Sequence, residues 1–179
     1  MSARLNITTA LKGLRWSLPL MIALLPGIAS RAQVNNSSGI QAASGINSLG
    51  TKVGDGDSQT LGGSCKSGQC RISGGTASGS NLFHRLSKLR TNSNIDKITL
   101  DNLIPGSNSN AFRSIILSNI DGNGTYINTS FQLDASSSDL LILSPGGIEI
   151  GGLARFSNIG SLALSTAENL SIGGKIFHY

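Results

Sequence analysis

The chain has 179 residues, a formal net charge of +5 and only 4% aromatic residues. Four of its 14 basic residues (Arg4, Lys12, Arg15, Arg31) lie in the first 32 positions, so residues 33–179 carry ten basic residues against nine acids, a net of +1. That near-neutral remainder, whose few aromatics are not interleaved with Lys or Arg, argues against nucleic acid as a partner.

The acid-free start with Arg4, Lys12 and Arg15 leads into an apolar run from Trp16 to Ile28, broken by Pro19 and Pro26. Ser30-Arg31-Ala32 then supplies small residues where a signal peptidase reads. Residues 1–32 therefore read as a secretory signal with cleavage after Ala32, too short and too broken to span a membrane as a helix. Residues 33–179 have the length of one domain.

Gln33 to Ser64 is rich in Gly, Ser, Asn and Thr with isolated apolar residues. It is expected to form short strands and turns that cap the open end of the strands downstream, since an unpaired edge needs cover. Cys65 and Cys70 are the only cysteines, and in an exported chain they predict a local disulfide. A staple closing so short a loop contributes about 2 kcal/mol at most. Asn81 to Leu89 has a helical flavour, although its apolar positions also suit a bent strand.

From Ile95 onward, short apolar runs alternate with Asn/Gly/Ser/Pro turns such as Asp121-Gly122-Asn123-Gly124. The stretch Leu140 to Gly152 returns 22 residues later as Leu162 to Gly174, with Leu140, Ile150, Gly151 and Gly152 meeting identical residues. A strand-built period in the low twenties predicts a solenoid with one coil per repeat. The expected fold is all-β, a right-handed single-stranded parallel β-helix with rungs of about 22 residues and an N-terminal cap. Leu140, Ile142, Ile148 and Ile150 are expected to stack inward on Leu162, Leu164, Leu170 and Ile172. Earlier coils depart from the 22-residue register and must carry insertions.

Catalytic motifs are missing. His84 and His178 stand nearly a hundred positions apart, and no nucleophile elbow, phosphate loop or His-Glu-x-x-His segment occurs. Asp55-Gly56-Asp57 and Asp121-Gly122-Asn123 lack the ligand spacing of a calcium loop and read as Asp-Gly turns. No catalytic residue, metal or cofactor is expected. A polysaccharide-cleaving β-helix would need carboxylates converging on one face, whereas the acids here are scattered singly along the sequence.

Four segments together carry a family resemblance. Gly74-Gly75-Thr76 followed by Gly79-Ser80-Asn81-Leu82-Phe83-His84 resembles the "GGT…GxNLFHSFxxF" stretch of filamentous-haemagglutinin-type proteins. Ser118-Asn119-Ile120-Asp121-Gly122 is similar to their "SNIDG". Leu140 to Gly152 is similar to "LFLINPNGIxFG", and Ser161 to Leu170 to the "SFLASTADSI" beyond it. The blocks keep the family's order over roughly residues 72–172.

The resemblance is to the N-terminal two-partner secretion domain, also called the haemagglutination-activity domain. It implies a non-enzymatic β-helix that leads an exoprotein through the periplasm to the cell surface or medium of a Gram-negative-type cell. The implied partner is an outer-membrane β-barrel transporter with periplasmic recognition domains, and a host or neighbouring-cell surface is a further one. Carried onto this chain, transporter recognition falls on Asn81, Leu82 and Phe83, expected as a packed corner, and on Ser144, Pro145, Gly146 and Gly147, expected as an exposed turn. The family's Asn-Pro-Asn-Gly is Ser-Pro-Gly-Gly here, and substitutions in this turn are expected to act on export rather than on folding. The family's domain also runs on past the equivalent of Tyr179, so the chain reads as truncated. Competing readings are a free-standing surface adhesin or carbohydrate-binding solenoid, and a β-helical polysaccharide-cleaving enzyme.

Overall fold

Alternating apolar and polar residues, with Ile and Leu on one side of each run, make strands wherever the chain is not interrupted by Gly, Asn or Pro. The computed structural model describes residues 38–172 and 175–178, so the expected leader over 1–32 and its cleavage site lie outside the described residues. The strands are β1 (Gly39–Ala42), β2 (Thr51–Asp55), β3 (Ser58–Leu61), β4 (Ser64–Cys65), β5 (Gly68–Gly74), β6 (Thr76–Ser78), β7 (Asn81–Arg90), β8 (Ile95–Leu100) and β9 (Ser114–Asn119). They continue as β10 (Thr125–Ile127), β11 (Ser130–Leu133), β12 (Ser138–Leu143), β13 (Ile148–Ile150), β14 (Arg155–Ser157), β15 (Ile159–Ser165), β16 (Asn169–Ile172) and β17 (Lys175–His178). The one helical element among the described residues is a 3-10 turn at Gly45–Ser48.

Two sheets carry the fold. One runs β13-β10-β7-β9-β12-β15 and the other β14-β11-β8-β5-β2-β3. From β5 onward, the ladders linking the successive strands of both sheets are parallel. Leu82 pairs with Ile115, Ile115 with Leu140 and Leu140 with Leu162. On the other sheet Cys70 pairs with Ile98, Ile98 with Phe131 and Phe131 with Phe156. The chain therefore returns beside itself repeatedly, and the 22-residue step from Leu140 to Leu162 is the shortest of the first series. The core lies between the sheets: Leu82, Ile115, Leu117, Leu140 and Ile142 from one, and Ile72, Ile98, Leu100, Phe131 and Leu133 from the other.

Apart from an isolated bridge between Leu103 and Ala111, antiparallel pairing among the described residues lies at the beginning and end of the chain. The β2–β3 hairpin lies against β5, while β1 and β6 pair with β7. These strands occupy the edge that the Gly/Ser-rich segment was expected to cover. Within this region the Cys65–Cys70 disulfide forms as the spacing predicted, with a Cα–Cα distance of 5.6 Å. Asn81 to Leu89 is not helical, since its residues form most of β7, the longest strand.

The expected inward stacking holds only in part: Leu140 and Ile142 are buried, but Leu162, Leu164 and Ile150 are 39%, 44% and 39% exposed. Leu170 and Ile172 do not stack over Ile148 and Ile150. They sit in β16, antiparallel to β17, and pack with the cluster of Phe83, Ile116 and Leu143 on the outer face of the first sheet. The reason is competition for apolar cover. Phe83, Ile116 and Leu143 form a cluster apart from the core between the sheets, and Leu170 and Ile172 remove their apolar surface from water. Ile148 and Ile150 meanwhile pair back to Thr125 and Ile127 in β10.

Candidate functional site

The turn after β12 rests on the turn of the coil before it. In both, the fourth residue closes on the first: the Gly124 N–H donates to the Asp121 carbonyl and the Gly147 N–H to the Ser144 carbonyl, each at 2.9 Å. Gly124 has φ 77° and Gly147 φ 104°, a region in which side chains are strained, so glycine is required at both closing positions. The Thr125 N–H donates to the Gly147 carbonyl at 2.8 Å and ties the two turns together. Their backbones touch so closely that a Cβ on Gly146 would lie 2.5 Å from the Asp121 carbonyl and 2.6 Å from the Gly124 nitrogen.

The Ser118-Asn119-Ile120-Asp121-Gly122 segment has a physical role in this stack. Asn119 is fully buried, and its side-chain amide donates to the Gly124 carbonyl at 3.1 Å and to Thr125 Oγ1 at 2.9 Å. It satisfies turn backbone that burial would otherwise leave unpaired. Asp121 Oδ1 accepts from the Asn123 N–H at 3.0 Å, the Asx geometry that starts a turn.

Beside the stack a row of side chains crosses the coils. Tyr126 pairs with Arg90 on one side and Glu149 on the other. Arg90 donates to the Asn123 carbonyl at 2.6 Å, and its guanidinium lies 5.9 Å from the centre of the Tyr126 ring. A groove of about 260 Å³ runs here, lined by Arg90, Asn123, Thr125, Gly146, Gly147, Ile148 and Glu149. Pro145 and Gly146 are exposed at its rim.

The residues expected from the sequence divide between this turn and the core. Pro145, Gly146 and Gly147 form the turn, but Ser144 is fully buried and its hydroxyl has no hydrogen-bond partner. Its side chain continues the inward row of Leu140 and Ile142, so it is not part of an exposed surface. The turn is also not independent of folding, because any side chain at Gly146 pushes two stacked backbones apart. Asn81, Leu82 and Phe83 are not a corner. They open β7, with Leu82 in the core between the sheets and Phe83 in the outer cluster beside Leu170 and Ile172. Asn81 lies level with Ser114 and Asp139, five residues before Ser144, which is about 16 Å along the strands. The structure does not bring the two segments together.

The Gly74-Gly75-Thr76 and Asn81-to-His84 segments do meet each other. Thr76 pairs with Phe83, and a Cβ on Gly75 would come within 2.9 Å of His84 Cε1 and of the Phe83 carbonyl. His84 is buried among apolar neighbours with both ring nitrogens unpartnered, and desolvation lowers its pKa to about 3. It is a neutral packing residue.

On the far sheet Arg71 reaches two acids of successive coils, Asp134 by a direct bond and Asp101 at 3.8 Å. The acids that look scattered in sequence thus do converge, although both carboxylates are taken by one guanidinium. No group of three or more His, Cys, Asp or Glu among the described residues could hold a metal ion. Sequence reasoning missed Arg90, Tyr126 and Glu149. The only signal was the alternation Thr125-Tyr126-Ile127, which turns Tyr126 outward.

No protein-family model matches the chain, and no curated protein or solved structure matches it.

Proposed function

We propose that the chain is a secretion-targeting domain of the two-partner type, exported behind the leader at residues 1–32 and read by a cognate outer-membrane β-barrel transporter. Its parallel coils wind as a right-handed β-helix, since parallel crossover connections are right-handed in nearly all cases. One observation carries the reading. The four resembling segments contribute, in order, to β7, β9, β12 and β15, which are consecutive neighbours joined by parallel ladders in one sheet. Residues that look alike by sequence order are thus also neighbours in space; Gly146 and Gly151 within them lie close against the preceding coil, and Asn119 braces the turn of its own coil.

Recognition is assigned to the exposed rim of the turn stack, Asn123 and Pro145, with Arg90 and Glu149 of the adjoining groove. Turns presented by a rigid solenoid offer a transporter fixed backbone groups without unfolding the domain. Phe83 contributes through packing, because it is covered by Leu170 and Ile172.

The test co-expresses the full chain with a partner transporter and measures the fraction reaching the medium. Transporter-dependent export is expected. Pro145→Glu with Asn123→Glu, both at exposed positions, is expected to lower it at least about tenfold with a stability change under about 1 kcal/mol. Export indifferent to the transporter would overturn the proposal and favour a free-standing surface adhesin.

A further inference from the structure

The turn between β9 and β10 holds the one Asn-Gly pair in the sequence, Asn123-Gly124. Glycine has no side chain to hinder its backbone nitrogen, so an asparagine before it is prone to lose its side-chain amide without any enzyme. The Gly124 nitrogen gives its proton to hydroxide and attacks Asn123 Cγ. The N–Cγ bond forms, the Cγ–Nδ2 bond breaks and ammonia leaves. Water then opens the five-membered imide at either carbonyl, leaving aspartate or isoaspartate at position 123.

Asn123 is exposed to water, yet each group that must move is held. The Gly124 N–H donates to the Asp121 carbonyl at 2.9 Å, which opposes loss of its proton. The Asn123 side-chain amide donates to Asp121 Oδ1 at 3.0 Å, which restrains the side chain that has to swing onto the Gly124 nitrogen. The peptide between the two residues is clamped at both ends. Arg90 donates to the Asn123 carbonyl at 2.6 Å, and the buried Asn119 amide donates to the Gly124 carbonyl at 3.1 Å. Gly124 is itself buried against the next coil, where a Cβ would lie 2.6 Å from the carbonyl oxygens of Gly146 and Gly147. Ring closure needs the nitrogen and Cγ brought into line, and the stacked turns leave the backbone no room to rotate.

From this clamp we propose that Asn123 is a site of spontaneous deamidation that coil stacking keeps latent. The amide is lost only while the turn stack is open, so the product is a covalent record of time spent unstacked. Both products work against restacking. Aspartate sets a second carboxylate where Asn123 donated to Asp121, and isoaspartate lengthens the main chain by a methylene inside the turn that Gly124 closes. The chemistry needs no transporter and does not rest on the export reading.

The experiment incubates the full chain at mildly alkaline pH, folded in buffer and unfolded in guanidinium chloride. Residue 123 is followed by peptide mapping and by isoaspartyl methyltransferase labelling. Deamidation changes the peptide mass, whereas isomerisation at Asp55-Gly56 or Asp121-Gly122 does not. The unfolded chain is expected to deamidate at Asn123 at least about tenfold faster than the folded one. Gly146→Ala, which pushes the stacked turns apart, is expected to raise the folded-state rate at least about threefold, and Asp121→Ala to do so by freeing the Asn123 side chain. Asp121 is half-exposed and its carbonyl stays in place, so this variant tests the clamp even if circular dichroism shows that Gly146→Ala does not fold. Equal rates in folded and unfolded chains, a faster rate in the folded chain, or a folded-state rate unchanged in both variants would each overturn the proposal.

Discussion

At the centre of β7 an imidazole with neither nitrogen hydrogen-bonded fills the space that Gly75 leaves open. Burial removes the water that would stabilise its charged form, so the pKa of His84 falls from 6.5 to about 3. In the unfolded chain the same ring binds a proton near pH 6.5. Between these values the unfolded state holds more protons than the folded one, so stability rises with pH across the window. The contribution is complete above pH 6.5 and is lost as pH falls, at about 1.4 kcal/mol per pH unit. Urea unfolding measured from pH 7 to pH 4 is expected to show that slope, and His84→Leu is expected to flatten it. A slope unchanged by His84→Leu would mean that the ring reaches solvent. A resemblance through Asn-Leu-Phe-His thus turns out to be a packing signature at its last residue.

Strands β12 and β15 show how far a repeat can be read. The sequence repeat gives their register correctly, pairing Leu140 with Leu162 and Ile142 with Leu164. It does not give burial. Leu140 and Ile142 are 1% and 0% exposed, whereas Leu162 and Leu164 are 39% and 44% exposed. A repeat identifies lateral neighbours, but burial also needs a coil on the far side, and the chain instead sends Leu170 and Ile172 to the outer face. The same limit explains the turns. Pro145-Gly146-Gly147 is legible as a turn from its own residues. The burial of Ser144 and the crowding at Gly146 arise from the coil beneath and have no local signature. Ile142→Ala is therefore expected to cost about 2–5 kcal/mol and Leu164→Ala less than half as much, read from denaturant midpoints. Equal losses would show that Leu164 is covered in solution.

In the whole molecule, stability comes from each coil touching mainly its neighbours, so it need not be uniform along the stack. β9 is held between β7 and β12, and at the N-terminal side β1, β2, β3 and β6 add antiparallel cover. β15 is paired in its sheet to β12 alone, and two of its leucines are partly in water. Arg90, Tyr126 and Glu149 meet across steps of 36 and 23 residues, so uneven coil lengths hid this row from any fixed period. Opening should begin where a strand has one partner and little apolar cover, and stop where both sides are occupied. Native-state hydrogen exchange is expected to rank the hydrogen-bonded amides of Ile115 to Ser118 and Leu140 to Leu143 as the most protected. Those of Gly160 to Ser165 should exchange at least about tenfold faster, a gap of about 1.4 kcal/mol in opening free energy. Because this gradient depends on coil order alone, it should persist in Pro145→Glu. Uniform protection from β7 to β15 would mean that the coils unfold as one unit and that β15, the edge strand of the first sheet, is covered in solution.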